Sequence, residues 1–119
     1  TLDELKEWNI DLVNEVRNEK LTSTFTDSNN ILWDVSPTAI SNLNGVCTLI
    51  ALGIVTGNQT WRDANNINHE LAPSAIIQLA AETAVHMKTC YTVSWQHKEA
   101  INNMVDILTL QDYDIMLGW

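Results

Sequence analysis

Cysteine, proline, glycine and basic residues are all scarce in this 119-residue chain, which holds two Cys, two Pro, four Gly and six Lys plus Arg. Two cysteines, Cys47 and Cys90, are too few for a disulfide scaffold. Both stand among apolar residues at helical spacing and read as buried free thiols rather than a bridge. Four scattered glycines build no Gly-rich phosphate loop, and neither Gly-x-Ser-x-Gly nor Cys-x-x-Cys occurs. Six basic residues against fifteen acidic ones leave a net charge of −9, a balance that repels phosphate backbones and anionic headgroups. Nucleic acid and membrane-surface partners are therefore not expected. The longest apolar run, GVCTLIALGIV at 45–55, carries two Gly and a Thr and falls far short of the ~20 apolar residues that span a bilayer. It reads as a core helix, and no membrane insertion is expected. No leader-like segment opens the chain and residue 1 is Thr rather than Met, which reads as a fragment or a processed form. Asn58-Gln59-Thr60 is a formal glycosylation sequon that carries no meaning without secretion.

What is present is 45% apolar residues, enough for one hydrophobic core and one domain, or one domain plus an extended helix. The pattern predicts an α+β fold that is predominantly helical. Residues 1–21 place Leu2, Leu5, Trp8, Leu12, Val13 and Val16 at helical spacing, with Thr1 and Glu4 set for a capping box. That narrow stripe fits either packing on the domain or a docking or coiled-coil element, and residues 22–119 form the domain proper. Two β-hairpins are expected, the first from 23–26 and 31–35 around Asp27-Ser28-Asn29-Asn30, the second from 59–63 and 67–71 around Ala64-Asn65-Asn66. Ser36-Pro37 opens a second helix ending near Gly53 or Gly57, within which Gly45 suggests a close backbone approach or a bend. Pro73 opens a long helix with Ile76, Leu79, Ala80, Ala84, Met87, Tyr91, Trp95, Ile101 and Val105 on its apolar face. It runs unbroken to about Ile107 or kinks near Ser94, and residues 109–112 form a short turn before the tail. No internal repeat is read.

Candidate chemistry is sparse. Glu82, His86 and Cys90 share a helix face at i, i+4, i+8, a spacing at which two of them can ligate zinc, with His69 or His97 as a possible third ligand. The competing reading is that His86 and Cys90 flank the core. His69-Glu70 begins like a zinc-protease helix, but Pro73 stands where the second histidine is required. Asp112 and Asp114 sit in an acidic tail and read as capping and solubilising groups rather than as paired catalytic acids. Of five tryptophans, Trp33, Trp61 and Trp95 read as core, while Trp8 and Trp119 are the better interface candidates.

The segment TWRDANNINHEL at 60–71, then Ile76 to Leu79, His86, Tyr91 and Lys98 to Ile101, with Ile115 and Gly118-Trp119 at the end, resembles a domain of bacteriophage tail proteins that has no assigned activity. That domain stands near the C-terminal ends of tail-fibre and fibre-assembly proteins, prophage copies included. The Thr24-Phe25 and Trp33-Asp34 hairpin and the helix start at Ser36 to Ile40 also fit, so the likeness covers most of residues 15–119. Ala72-Pro73 replaces the usual Thr at the helix start, and the basic, Ala-rich linker that often precedes the domain is missing. The resemblance implies a non-catalytic structural or assembly protein of the virion tail, put together in the host cytoplasm. Its partners would be other tail-fibre or baseplate chains, or copies of itself in a trimer. No catalytic residue, metal or cofactor is implied. The interface expected on physical grounds is Leu5, Trp8 and Leu12 on the first helix, with Trp61, Arg62 and Trp119. Two alternatives stand beside it: a receptor- or glycan-binding tip module using exposed aromatics, and a zinc-dependent enzyme centred on His86 and Cys90.

Overall fold

A computed structural model describes the whole chain, residues Thr1–Trp119. Its order is α1 (Leu2–Thr22), β1 (Thr24–Thr26), β2 (Leu32–Asp34), α2 (Pro37–Ala51), β3 (Gln59–Arg62), β4 (Asn68–Leu71), α3 (Pro73–Asn102) and α4 (Ile107–Gln111). The fold is α+β and predominantly helical, with two separate antiparallel hairpins, β1–β2 and β3–β4. The chain divides into two compact units, Leu21–Met87 and the joined terminal segments Thr1–Lys20 and Lys88–Trp119. No helix is long and apolar enough to cross a membrane.

In the hairpin unit, Phe25 pairs with Trp33 and Trp61 with His69 across the two ladders. Trp33, Leu43, Ile76 and Leu79 form the core, and Trp61, Leu71 and Cys47 pack against it half-buried. Helix α2 begins where it does because the Ser36 hydroxyl accepts from the Ala39 amide at 3.3 Å while Pro37, which has no N–H to lose, takes the first position. It ends at Gly53, whose φ of 72° is the left-handed conformation that closes a helix. A Cβ built on Gly45 meets nothing within 4 Å, so of the two expected explanations a close backbone approach does not account for that glycine.

The hairpin unit is also built from an internal repeat, which corrects the reading of the sequence. Nine of the twenty residues from Thr24 to Leu43 recur thirty-six positions later: Thr24/Thr60, Asp27/Asp63, Asn29/Asn65, Asn30/Asn66, Ile31/Ile67, Pro37/Pro73, Ala39/Ala75, Ile40/Ile76 and Leu43/Leu79. The structure repeats with them. Asp27 Oδ1 accepts from the amides of Asn29 and Ile31, both at 2.9 Å, and Asp63 Oδ1 accepts from Asn65 at 2.8 Å and Ile67 at 3.0 Å. The last loop residue, Asn30 or Asn66, has φ 62° in each hairpin, a left-handed position that asparagine tolerates. Each loop is thus a three-residue connection with a type I turn and a left-handed bulge. Strand, turn, strand and proline-started helix occur twice in tandem.

In the terminal unit the Lys6 ammonium donates to the Asn102 carbonyl at 2.9 Å, while the Arg17 guanidinium lies 5.4 Å from the Tyr91 ring centroid. Here α1 and the last half of α3 therefore run antiparallel. Thr1 and Glu4 form the expected capping contacts, the Glu4 amide reaching Thr1 Oγ1 at 3.3 Å and that hydroxyl donating to Glu4 Oε1 at 3.0 Å. Val13, Ile101 and Leu110 are buried together, with Leu5, Tyr113 and Trp119 against them. Helix α3 is unbroken at Ser94 and stops at Asn102, short of Ile107, because Asp106 caps the next helix by accepting from the Thr109 amide at 2.9 Å. The buried side of α3 also differs from the expected one. Thr83, Cys90, Val93, Ser94 and His97 are buried, whereas Trp95 is 60% and Val105 87% exposed. Thr83 and Ser94 satisfy their hydroxyls on the carbonyls of Leu79 at 2.8 Å and Tyr91 at 2.7 Å, so polar residues share the buried side without cost.

Candidate functional site

A cleft of about 250 Å³ opens in the hairpin unit between β3 and α2. Thr60, Trp61 and Arg62 supply one wall, Ala39, Ile40, Asn42 and Leu43 the other, and Trp33, Asp34, Leu79 and Thr83 complete it. The ladder positions the first wall: strand alternation sends Trp61 inward, half-buried against the core, and leaves Thr60 and Arg62 exposed at the mouth. Arg62 Nε donates to Asn68 Oδ1 at 3.0 Å across the hairpin, and the Thr60 hydroxyl donates to Glu70 Oε1. Asp34 Oδ1 accepts from the Ser36 amide at 2.8 Å just before α2.

Beside the cleft, His69 Nε2 meets Asp63 Oδ2 at 2.8 Å, an arrangement that elsewhere orients a catalytic base. The repeat gives it another meaning. At the equivalent position the Trp33 indole N–H donates to Asp27 Oδ2, also at 2.8 Å. An indole has no acid–base role, so the shared contact fastens the hairpin loop to the second strand in both copies. The His69 contact and the Ile67 amide hold the Asp63 carboxyl below its ordinary range.

The remaining sequence candidates are placed as follows. Glu82 Oε1 accepts from the Ser28 amide at 3.1 Å and the His86 ring lies 5.0 Å from that of Phe25. No group of three or more His, Cys, Asp or Glu side chains is assembled as a metal cradle. Burial pushes the Cys47 and Cys90 thiols up, opposite to the shift an activated nucleophile needs. In the terminal unit Leu5 packs on the Val13, Ile101 and Leu110 core and Leu12 is half-buried, whereas Trp8 is 61% exposed. Trp119 is half-buried, its Nε1 donating to the Ile115 carbonyl at 2.7 Å and its ring stacked 5.5 Å from that of His97. Residues 4–116 match the family described as Domain of unknown function (DUF4376).

The chain belongs to the DUF4376 family. The match runs through both compact units of this DUF4376 chain. No match is found among curated proteins or among solved structures.

Three features of this DUF4376 fold escape a residue-by-residue reading. His97 is buried, with Nε2 2.7 Å from the Leu117 carbonyl and Nδ1 2.6 Å from the Tyr113 hydroxyl. The carbonyl can only accept, so Nε2 carries a proton; in the neutral imidazole Nδ1 then accepts from the Tyr113 hydroxyl. This pins the C-terminal tail to α3, a contact between residues too distant in sequence to be read from it. The second is Asp106 as the cap of α4, visible in hindsight as an Asp three residues before a Thr. The third is the pair Asp27 and Asp63, whose signal was the recurrence of Asp-x-Asn-Asn-Ile.

Proposed function

We propose that this chain is a non-catalytic domain of a bacteriophage tail, structural or assembling in role, which docks other tail-fibre or baseplate chains through the solvent-facing part of α1. The observation that carries the reading is Trp8. It sits in the first half of an amphipathic helix whose Leu5 and Val13 are committed to the unit's own core, and it leaves 61% of its surface in water. An exposed indole on a rigid helix is the kind of aromatic anchor that dominates protein interfaces. Trp95, with 60% of its surface exposed and its ring 6.1 Å from that of Tyr91, adds a second aromatic in the same unit. The likeness of the 60–71 segment and the Gly118-Trp119 ending to tail-protein domains supplies the biological setting. The excess of acid keeps such a surface soluble before assembly.

The test is co-expression with tail-fibre and baseplate chains followed by purification on a tag carried by those chains. The wild-type domain is expected to co-purify in fixed stoichiometry and Trp8→Asp to be lost while its melting temperature is kept. Equal recovery of both, or of neither, contradicts the assignment.

A further inference from the structure

The cleft between β3 and α2 lies in the other compact unit from Trp8, and what it does stands or falls separately from the docking reading. Its residues divide by kind. Ile40, Leu43 and Leu79 give an aliphatic lining, Trp61 an aromatic one, and Asp34, Asn42 and Arg62 are exposed polar groups lining the same space. All three polar groups are planar and able to pair with two neighbouring hydroxyls at once. Asp34 spends Oδ1 on the Ser36 amide, leaving Oδ2, and Arg62 spends Nε on Asn68, leaving both terminal amino groups. One carboxylate and one guanidinium balance, so the cleft favours neither a phosphate nor a metal cation.

The repeat shows which of these residue types the hairpin geometry itself does not require. The first hairpin reaches the same loop geometry and the same kind of register with Phe25 and Thr26, where the second has Trp61 and Arg62. Phe25 lies against the His86 ring at 5.0 Å and does not line this cleft, whereas Trp61, half-buried on the core, and the exposed Arg62 both border it. A hairpin of this geometry thus forms with neither an indole nor a guanidinium at these two positions.

We propose that this cleft binds one sugar ring of a glycan. A pyranose presents an apolar C–H face and an edge of adjacent hydroxyls, which match an aromatic and aliphatic lining together with planar acid, amide and guanidinium groups. The volume, about 250 Å³, lies below the ~300–1,000 Å³ of sites for larger ligands and suits a single ring with the rest of the chain in solvent. A single protein side chain brings three polar atoms at most, fewer than a pyranose ring with its hydroxyls, and leaves part of such a set of groups unused.

The experiment is an amide and indole NMR titration of the full chain with the methyl glycosides of glucose, galactose, rhamnose and N-acetylglucosamine, with p-cresol and indole as side-chain probes. A run on a variant bearing Trp61→Phe and Arg62→Thr, the residues the first repeat uses, accompanies it. The expected result is that at least one glycoside moves the Trp61 indole and the Asn42 and Arg62 signals, and that the double variant weakens this about tenfold. Arg62→Thr alone, at an exposed side chain, serves if the double variant loses its fold. No response to any glycoside, a response equal in the variant, or a response to p-cresol or indole alone overturns the proposal; the last makes the cleft a socket for a partner's side chain.

Discussion

Trp33 and His69 occupy the same position in the two repeats, and their rings meet with centroids 5.4 Å apart at the edge of the hairpin unit's core. Each is tied by a ring nitrogen to its own loop carboxylate, Asp27 or Asp63, at 2.8 Å. A duplicated element has thus folded back so that its second strands pack together. The second hairpin's loop also reaches the first directly, the Ala64 amide donating to the Leu32 carbonyl at 2.8 Å.

The Asp27 carboxylate satisfies two amides and an indole, so Asp27→Ala strands three donors at a partly buried loop. The expected cost is about 1–3 kcal/mol of unfolding free energy, by urea titration, with the Trp33 indole resonance displaced. A loss below about 0.5 kcal/mol would mean that water replaces the carboxylate freely.

Acid should unfasten the second hairpin. The contact with His69 and the amides of Ile67 and Asn65 hold the Asp63 carboxyl below its ordinary value. A group whose pKa is lower folded than unfolded contributes stability that is complete above the unfolded value, about 3.9, and is lost as pH falls toward the folded one. Asp106, lowered by the Thr109 hydroxyl and amide, acts in the same direction. Melting temperature should therefore drop with pH below about 4, and Asp63→Asn should flatten that drop while lowering stability at neutral pH. An unchanged acid slope in the variant would show that other carboxylates carry it.

Gly45 should be replaceable with profit. It lies inside α2 with negative φ and open space where a Cβ would stand. Gly45→Ala should raise stability by about 0.5–1 kcal/mol, read as a higher urea midpoint, through a smaller loss of backbone freedom on folding. A destabilised variant would contradict the open geometry around that residue.

Two substitutions separate core from surface in the terminal unit. Ile101 is fully buried against Val13 and Leu110, so Ile101→Ala should cost about 2–5 kcal/mol. Trp8→Ala, at a position 61% exposed, should stay within about 0.5 kcal/mol of wild type. Thermal melts of the two variants check the pair, and a large loss at Trp8 would show that its ring supports the fold.

The elements were legible wherever local chemistry marks their ends. Ser36-Pro37 and Pro73 start helices, Gly53 stops one, and the Asn-rich loops turn the hairpins. The buried side of α3 was not, because Thr83, Ser94 and His97 satisfy their polar atoms inside the protein, and a search for apolar periodicity passes over them in favour of Tyr91 and Trp95. Reading each loop merely as a polar turn hid the recurrence of Asp-x-Asn-Asn-Ile, and with it the shared role of Asp27 and Asp63. Of the candidate site, Trp61 and Arg62 were legible only as anchors of a protein interface. Asp34 and Asn42 join it only through tertiary packing, which no spacing along the chain announces.

The most direct measurement is a photo-crosslink from position 8. A benzoylphenylalanine placed at Trp8 is irradiated in host cells assembling tails, and the crosslinked product is identified by mass spectrometry. The account predicts a discrete adduct to a tail-fibre or baseplate chain, absent when the same group replaces Leu5, half-buried against the unit's own core. An adduct only to chains unrelated to the tail, or none at position 8 while tails form normally, would contradict it.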